Sequence, residues 1–396
     1  MFTQLYGLSE YEELPKHLSL VSLARELSRM NGGYAAAYKH QGGMLLVRDI
    51  LGLNPLFYSL NPWGFSDERK HLVATKHRGI RELNPRCVLL YDAKRGVVER
   101  KARGFFRVKP WLKLSYAEIK KELGELLRLA IEERSLDAKK VGVFFSGGVD
   151  SSLIAFILKQ LRKKVVCYTS GLVGAARGLP EDVVYARRVA KQLNLELREV
   201  LVRLDDMPLL IREVVETIED TNPVKVGVAL PLYVAARACS NDKIAVVFSG
   251  LGSEELFAGY QRHRQAKNIN AECRRGLFQL YKRDTYRDYT IAKRFKLSLR
   301  VPYLDKRVVE FGLRIPPQYK IQGTKLKVVL RDVAKQLGLP TLPTERRKRA
   351  AQYGSNFDRG LKKLAKLSGC KYKAEYIKRV SVGAALSSLD DTSSPG

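Results

Sequence analysis

The segment SGGVDSS at residues 146–152 follows an apolar run and opens a run with helical spacing. Glycines in such a turn let backbone N–H groups approach phosphate oxygens, and the dipole of the following helix favours an anion. The hydroxyls of Ser146, Ser151 and Ser152 add donors, while Gly147 and Gly148 supply the close backbone approach. Asp150 would repel phosphate unless a divalent cation lay between them, so it is a predicted Mg²⁺ ligand. The structural alternative is a tight turn capped by Ser and Asp.

A second turn repeats this arrangement. VVFSGLGSEE at residues 246–255 again has a strand, Ser-Gly-x, small polar residues, an acid and a helix. Two such turns at the ends of parallel strands would face a common ligand. Neither turn carries the GxxxxGK[ST] pattern, so phosphate transfer of the P-loop kind is not indicated.

These turns need a scaffold of parallel strands. From VGVFF at residue 141 to IAVVF at residue 244, apolar strand-like runs alternate with helix-like runs, which predicts an α/β fold with a parallel sheet. A linker helix is predicted over 116–133, and residues 254–370 are predicted to be mostly helical. Between residues 34 and 106, the short runs MLLVRD, PLFYSL, HLVAT, CVLLYD and GVVERKARGFF predict a small β-rich domain.

Composition excludes several classes of protein. The 45% hydrophobic content excludes disorder throughout, and the five scattered cysteines and five histidines lack zinc-ligand spacing. The acidic start and interrupted apolar runs predict no signal peptide and no membrane span, and hence a cytoplasmic protein.

The formal charge is +30, and residues 261–380 hold 32 Lys and Arg against 9 Asp and Glu. Such a region either binds a polyanion such as RNA or is an ordinary solvated basic surface.

The motifs together resemble a known family. SGGVDSS resembles the PP-loop of ATP pyrophosphatases, which split ATP between its α and β phosphates. SGLGSEELFAGYQRH, LRVPYLDKRVVEFGLRIPPQYKI and RRKRAAQYGS resemble, in this order, motifs of the synthetase domain of glutamine-dependent asparagine synthetases. Some details are closest to the asparagine synthetase domain-containing branch. The resemblance implies an adenine nucleotide alpha hydrolase-like fold with a helical carboxy-terminal part.

The resemblance also implies roles for single residues. Residues 146–148 and 150–152 would contact pyrophosphate and metal, and Ser249 and Gly250 would lie near the nucleotide. Glu254 stands where the family has an aspartate that shares the metal with Asp150. Lys348 matches a catalytic lysine that stabilises charge developing on the α-phosphate and acyl adenylate. ATP and Mg²⁺ are the implied cofactors.

The chain departs from the family pattern at two positions, one that concerns the chemistry after adenylation and one that concerns pyrophosphate binding. Leu251 stands where asparagine synthetases have glutamate, and leucine does no acid–base work. Gly227 stands where the family has an arginine that contacts pyrophosphate. Lys225 nearby offers a charge without the bidentate fork of arginine.

The β-rich amino-terminal region resembles the second half of the family's Ntn-type glutaminase domain. Family glutaminases carry a nucleophilic cysteine at position 2, where this chain has Phe2, and the first cysteine here is Cys87. We therefore expect a truncated glutaminase-like domain over 1–110 without its nucleophile, a synthetase domain over 111–380 and a flexible tail over 381–396. This chain is not expected to hydrolyse glutamine by itself.

Three functions follow as hypotheses. The first is an AMP-forming amide ligase that joins a small carboxylate, aspartate by default, to ammonia or another amine, with ammonia free or from a separate glutaminase subunit. The second is a PP-loop enzyme that modifies RNA, held by the basic residues 261–380. The third is a catalytically reduced nucleotide-binding or assembly protein.

Overall fold

The computed structural model describes residue 27 and residues 30–40, 43–92, 94–101, 104–108, 111–347 and 349–381. The predicted tail over 381–396 lies outside them, apart from Ser381 at the end of the last helix.

The amino-terminal region is β-rich, as the short alternating runs predict. Antiparallel strands form one sheet in the order β1-β2-β6-β7 and a second in the order β4-β3-β5. The strands are β1 (Ala35–His40), β2 (Gly43–Arg48), β3 (Phe57–Leu60), β4 (Trp63–Ser66), β5 (Arg81–Glu82), β6 (Cys87–Asp92) and β7 (Gly96–Lys101). One prediction here is wrong. HLVAT lies in helix α1 (Arg69–Ala74), where Leu72 is buried and the neighbouring positions are more exposed.

A five-stranded parallel sheet forms the centre of the larger region, which confirms the predicted α/β fold class. Its strand order is β10-β9-β8-β11-β12. The strands are β8 (Lys140–Phe144), β9 (Lys164–Val173), β10 (Glu196–Arg203), β11 (Val246–Phe248) and β12 (Ser298–Arg300). Strands β8 and β9 are buried over most of their length, as expected for a parallel sheet covered by helices.

Helices alternate with these strands and then dominate, again as predicted. The predicted linker helix is α2, and a capping box between Ser115 and Glu118 begins it. The helices are α2 (Tyr116–Glu133), α3 (Val149–Gln160), α4 (Glu181–Gln192), α5 (Met207–Ile218), α6 (Pro223–Asn241), α7 (Ser253–Leu256), α8 (Gln261–Arg264), α9 (Ile269–Leu280), α10 (Tyr286–Arg294), α11 (Lys306–Gly312), α12 (Val328–Gln336), α13 (Thr341–Glu345), α14 (Ala351–Gly354), α15 (Phe357–Leu367) and α16 (Lys373–Ser381). A short hairpin of β13 (Ile321–Gln322) and β14 (Lys325–Leu326) precedes α12.

The sheet places the two Ser-Gly turns side by side. Strand β11 pairs in parallel with β8, and Phe248 is in register with Val143, so both strands end at the same edge. The turn after β8 leads into α3, and the turn after β11 leads into α7. Across the described part of the chain, every helix is too short or too polar to span a bilayer.

Candidate functional site

The turn after β8 has the backbone that the sequence predicts. Gly147 has φ +74°, and a Cβ there would lie 2.8 Å from the carbonyl carbon of Tyr185 in α4, so both conformation and space favour glycine. Gly148 is the residue before α3, whose first turn contains Asp150. The hydroxyl of Tyr303 donates a hydrogen bond to the backbone oxygen of Asp150 at 3.0 Å, so the VPYLD segment supports the turn from behind.

The predicted phosphate-binding residues separate into two groups. Ser146, Gly148 and Asp150 line a small cavity at the sheet edge. Ser151 lies beneath the turn, where its Oγ accepts from the Ser146 N–H at 3.3 Å and donates to the Gly148 oxygen at 3.4 Å. The Ser152 hydroxyl is fully buried in α3 and does not line the cavity.

The second turn packs against the first. A Cβ at Gly250 would lie 3.0 Å from the Cβ of Asp150, so the two turns touch at this point. The Ser249 N–H donates to the Arg300 oxygen of β12 at 2.9 Å, and the Ser249 Oγ accepts from the Leu251 N–H at 3.3 Å. Ser249 and Gly250 therefore shape the wall behind Asp150 and do not line the cavity itself.

Asp150 and Glu254, the predicted metal ligands, converge on one point. That point holds the ammonium group of Lys327, which lies 2.7 Å from both Asp150 oxygens and 2.8 Å from Glu254 Oε1. Lys327 also donates to the Ser253 hydroxyl at 3.1 Å, and its side chain is only 2% exposed. The sequence analysis missed Lys327. It is the single residue between β14 and α12, and its φ is +56°.

Gly259 provides the space for this cluster. A Cβ there would lie 1.7 Å from Glu254 Oε2 and 2.3 Å from Lys327 Cε. Both distances are far below van der Waals contact, so a side chain at this position is incompatible with the observed cluster. Its φ is not in the left-handed region, and space alone therefore requires glycine.

The donor set of this cluster suits Mg²⁺. Two carboxylates with room for phosphate oxygens are the usual protein contribution to a magnesium site beside a nucleotide. The carboxylate pair already has a cation in Lys327, so a metal here would displace or share that contact.

The cavity beside Asp150 is strongly basic. Its cationic lining residues come from the carboxy-terminal third and are Lys327, Arg331, Arg346, Arg347 and Arg349. Arg346 donates to the Ser146 oxygen and pairs with Asp182 of α4, so the basic segment is tied directly to the turn. Arg331 donates to the Leu326 oxygen at 2.9 Å and the Arg346 oxygen at 3.1 Å. Sequence reasoning selected Lys348 and passed over these neighbours.

Lys348 lies outside the described residues, and its role stays a prediction. The flanking Arg347 and Arg349 both line the cavity. Lys225, considered as a substitute for the missing arginine, pairs with Asp220 at 2.7 Å and is not among the lining residues.

Comparisons with known proteins point to one family. The asparagine synthase family model matches residues 122–290 and 265–394. The chain is 32% identical over 404 residues to a provisionally named asparagine synthetase (glutamine-hydrolyzing) 1 of Methanocaldococcus jannaschii, covering 88% of this chain and 73% of that protein. It is 28% identical over 344 residues to the asparagine synthetase (glutamine-hydrolyzing) of Cricetulus griseus, covering 76% of this chain and 59% of that protein.

Among solved structures, an NMN synthetase from Francisella tularensis aligns with 69% of this chain and 95% of its own. The sequence identity is 13% and the TM-score is 0.33.

Proposed function

The chain belongs to the asparagine synthase family of ATP-dependent ligases, and from that premise we propose that it is an AMP-forming amide ligase. A carboxylate oxygen of the acyl substrate attacks the α-phosphorus of ATP, and the α–β bridging bond breaks as pyrophosphate leaves with the electron pair. An amine nitrogen then attacks the acyl carbon, AMP leaves with the electron pair, and the nitrogen releases a proton to solvent. Ammonia, free or from a separate glutaminase subunit, is the default amine.

The observation that supports this proposal is the cationic cavity at the glycine turn. The turn offers backbone N–H groups and the start of α3, and five cations line the cavity opposite. Arg331 and Arg346 are fixed by backbone contacts, so their charges are preorganised. A fixed cluster of donors and cations suits a polyphosphate whose negative charge shifts as the α–β bond breaks.

In the proposed site, Asp150 and Glu254 bind a metal ion and Lys327 binds a phosphate oxygen. Mg²⁺ held by the two carboxylates would offset the charge of the phosphates. If the carboxylates held the metal, the Lys327 ammonium, which lines the same cavity, would be available to a phosphate oxygen. Lys348 is proposed as the catalytic cation beside the α-phosphate, between two arginines that line the cavity.

The acyl substrate is proposed to be a carboxylate, with aspartate as the reference compound. Leu251 provides no proton acceptor beside the acyl group, so amine deprotonation would depend on solvent or on the departing AMP phosphate.

ATP–pyrophosphate exchange tests the proposal directly. We expect exchange that depends on one carboxylate and falls at least about 100-fold in Asp150→Ala, the range seen when a preorganised electrostatic partner is removed. Asp206→Ala is the matched control, because Asp206 is exposed and lies outside the cavity. The proposal fails if no carboxylate supports exchange, or if Asp150→Ala and Asp206→Ala exchange equally well while both remain folded by circular dichroism.

A further inference from the structure

A second and larger concavity lies between the β-rich region and the parallel sheet. Its volume is about 880 Å³. Residues 30–33, Leu53 and Asn54 form the amino-terminal wall, and α10 together with residues 296–301 forms the opposite wall. This cleft, which we call the interdomain cleft, shares no lining residue with the basic cavity at the glycine turn.

The volume of the interdomain cleft is far beyond the need of ammonia. A molecule of water size fills about 30 Å³ of liquid, whereas clefts of roughly 300–1,000 Å³ bury ligands of drug size. The lining is mixed, with apolar side chains such as Leu297, Leu299 and Val301 beside charged ones. A ligand with an organic body and a charged group fits such a lining.

Positive charge remains available on one wall of the interdomain cleft. Arg300 is 11% exposed at its side chain and pairs with Asp137 at 2.7 Å, but its Nε is buried and has no hydrogen-bond partner among the described residues. The side chain of Lys296 is exposed at the cleft, and no ion pair to it is found in the described part of the chain. Lys296 lies in the turn that follows α10, Arg300 lies at the end of β12, and both line the cleft.

The other cations of the interdomain cleft are already neutralised. Arg134 and Arg307 both contact Asp305, at 2.7 and 2.9 Å. Lys293 pairs with Asp67 and with Glu68 of the β-rich region. The lining carboxylates Glu133 and Asp288 pair with Arg307 and Arg287. The attraction for an anion therefore comes from Lys296, and Arg300 adds one N–H that its ion pair with Asp137 leaves unused.

One end of the interdomain cleft reaches the nucleotide turns. Leu251 lines the cleft, and the preceding Gly250 touches Asp150. The Arg300 oxygen holds the Ser249 N–H at 2.9 Å, so the cationic wall and the second turn are directly joined. A ligand bound in the cleft would lie one loop away from Asp150.

From these observations we propose that the interdomain cleft binds the acyl substrate as an organic anion larger than a free amino acid. The proposal rests on the ligase function above and names its substrate class. Lys296 and Arg300 bind an anionic group of the substrate, the apolar residues contact its body, and its reacting carboxylate passes Leu251 toward the glycine turn.

A series with one reacting group and a growing body tests this proposal. ATP–pyrophosphate exchange is measured with aspartate, N-acetylaspartate and N-benzoylaspartate. We expect KM to fall along the series. The double variant Lys296→Gln, Arg300→Gln should raise KM for N-benzoylaspartate at least about tenfold, because both charged contacts to the anionic group are lost. Its kcat should change little. Lys366→Gln is the control, because Lys366 is an exposed lysine of α15 outside the cleft. Aspartate as the preferred compound, with KM equal in all variants, would overturn the proposal and leave the ligase function standing.

A binding measurement separates the two proposals if no compound of the series supports exchange. The fluorescent anion 8-anilinonaphthalene-1-sulfonate combines an aromatic body with a sulfonate. We expect the full chain to bind it with a dissociation constant about tenfold weaker in the Lys296→Gln, Arg300→Gln variant and unchanged in Lys366→Gln. That result supports the anion site while the ligase function fails. No binding, or equal binding by all variants, overturns the inference.

Discussion

Lys327 and Asp305 each stand at the centre of a buried ion cluster, but the clusters are built with different cations. The lysine cluster joins Lys327 to two carboxylates at the edge of the basic cavity. The arginine cluster surrounds Asp305 with Arg134, Arg307 and the amide of Asn31, at 2.7–2.9 Å. Lysine is a point charge on a flexible stem, whereas arginine holds fixed geometry through its planar fork.

The difference indicates which cluster changes partners. Asp305 accepts hydrogen bonds from the β-rich region, from the end of α2 and from α11, so it joins three parts of the chain. The lysine cluster has one ammonium group between two carboxylates, and a ligand or metal can enter beside it. We therefore regard the arginine cluster as structural and the lysine cluster as the functional one.

Lys327→Met is the strongest test of this contrast. The change leaves Asp150 and Glu254 facing each other without a cation, and breaking a buried ion pair in this way costs about 3–5 kcal/mol of unfolding free energy. We expect exchange activity to be lost and the variant to gain more thermal stability from Mg²⁺ than the wild-type chain does, since a ligand that binds only the folded state stabilises it. Urea unfolding and melting curves with and without Mg²⁺ measure both effects. ATP–pyrophosphate exchange measures the activity, and exchange equal to that of the wild type would contradict the functional assignment of this cluster.

Asp305→Asn tests the arginine cluster. Burial opposes ionisation of Asp305, but hydrogen bonds from Arg307 and the charge of Arg134 lower its pKa to about 2. Against an unfolded value of about 3.9, this is worth about 2–3 kcal/mol at neutral pH, and the contribution is lost as pH falls from about 4 to 2. We expect the variant to be less stable than the wild type at pH 7, with the difference shrinking toward pH 3.

Urea unfolding at both pH values measures this, and Asp206→Asn is the exposed control. A stability difference that is equal at pH 7 and pH 3 would show that the charge of Asp305 contributes nothing. Exchange activity should change little at neutral pH if the cluster is only structural.

Lys320 is a third buried cation, and no carboxylate pairs with it among the described residues. Lys320→Met removes its charge. Lys320 is fully buried, its Nζ has no hydrogen-bond partner among the described residues, and burial lowers its pKa. The amine binds a proton more readily in the unfolded chain than in the folded one, so the charged lysine lowers the free energy of unfolding below pH 10. This cost becomes smaller as pH approaches the unfolded pKa of about 10.4.

We expect Lys320→Met to raise the unfolding free energy at pH 7 by about 1–2 kcal/mol, since an apolar side chain of similar length removes the desolvation cost. The gain should be smaller at pH 10. Lys366→Met, on the exposed face of α15, should stay within about 0.5 kcal/mol of the wild type. A destabilised Lys320→Met variant would show that the amine makes a favourable contact.

The local features of the site were predictable from the sequence, and the distant ones were not. A strand, a glycine turn and a helix with Asp150 in its first turn form one contiguous pattern, and the echo at residues 246–255 places Glu254 in the same way. Lys327 contacts Asp150 across 177 residues, and no periodicity in KLKVVLR signals that contact. The error at HLVAT has a similar origin, since five residues are too few to separate a strand from a helix with one buried leucine.

The basic third of the chain shows the same limit. Its charge excess was visible in the composition, but its division between ion pairs and the basic cavity depends on tertiary contacts. Arg346 lines the cavity although it pairs with Asp182, whereas Arg287 pairs with Asp284 and Asp288 and does not line it. Counting charges therefore could not identify which cations face the cavity.

The positions of Glu254 and Lys327 depend on the uncharged residue Gly259. A single methyl group there would push Glu254 and Lys327 apart while every acid and base of the site remained in the sequence. A search for intact catalytic residues would accept such a variant as active. The residue at position 259 therefore indicates whether Glu254 and Lys327 can keep these positions in a redesigned or divergent copy of the site.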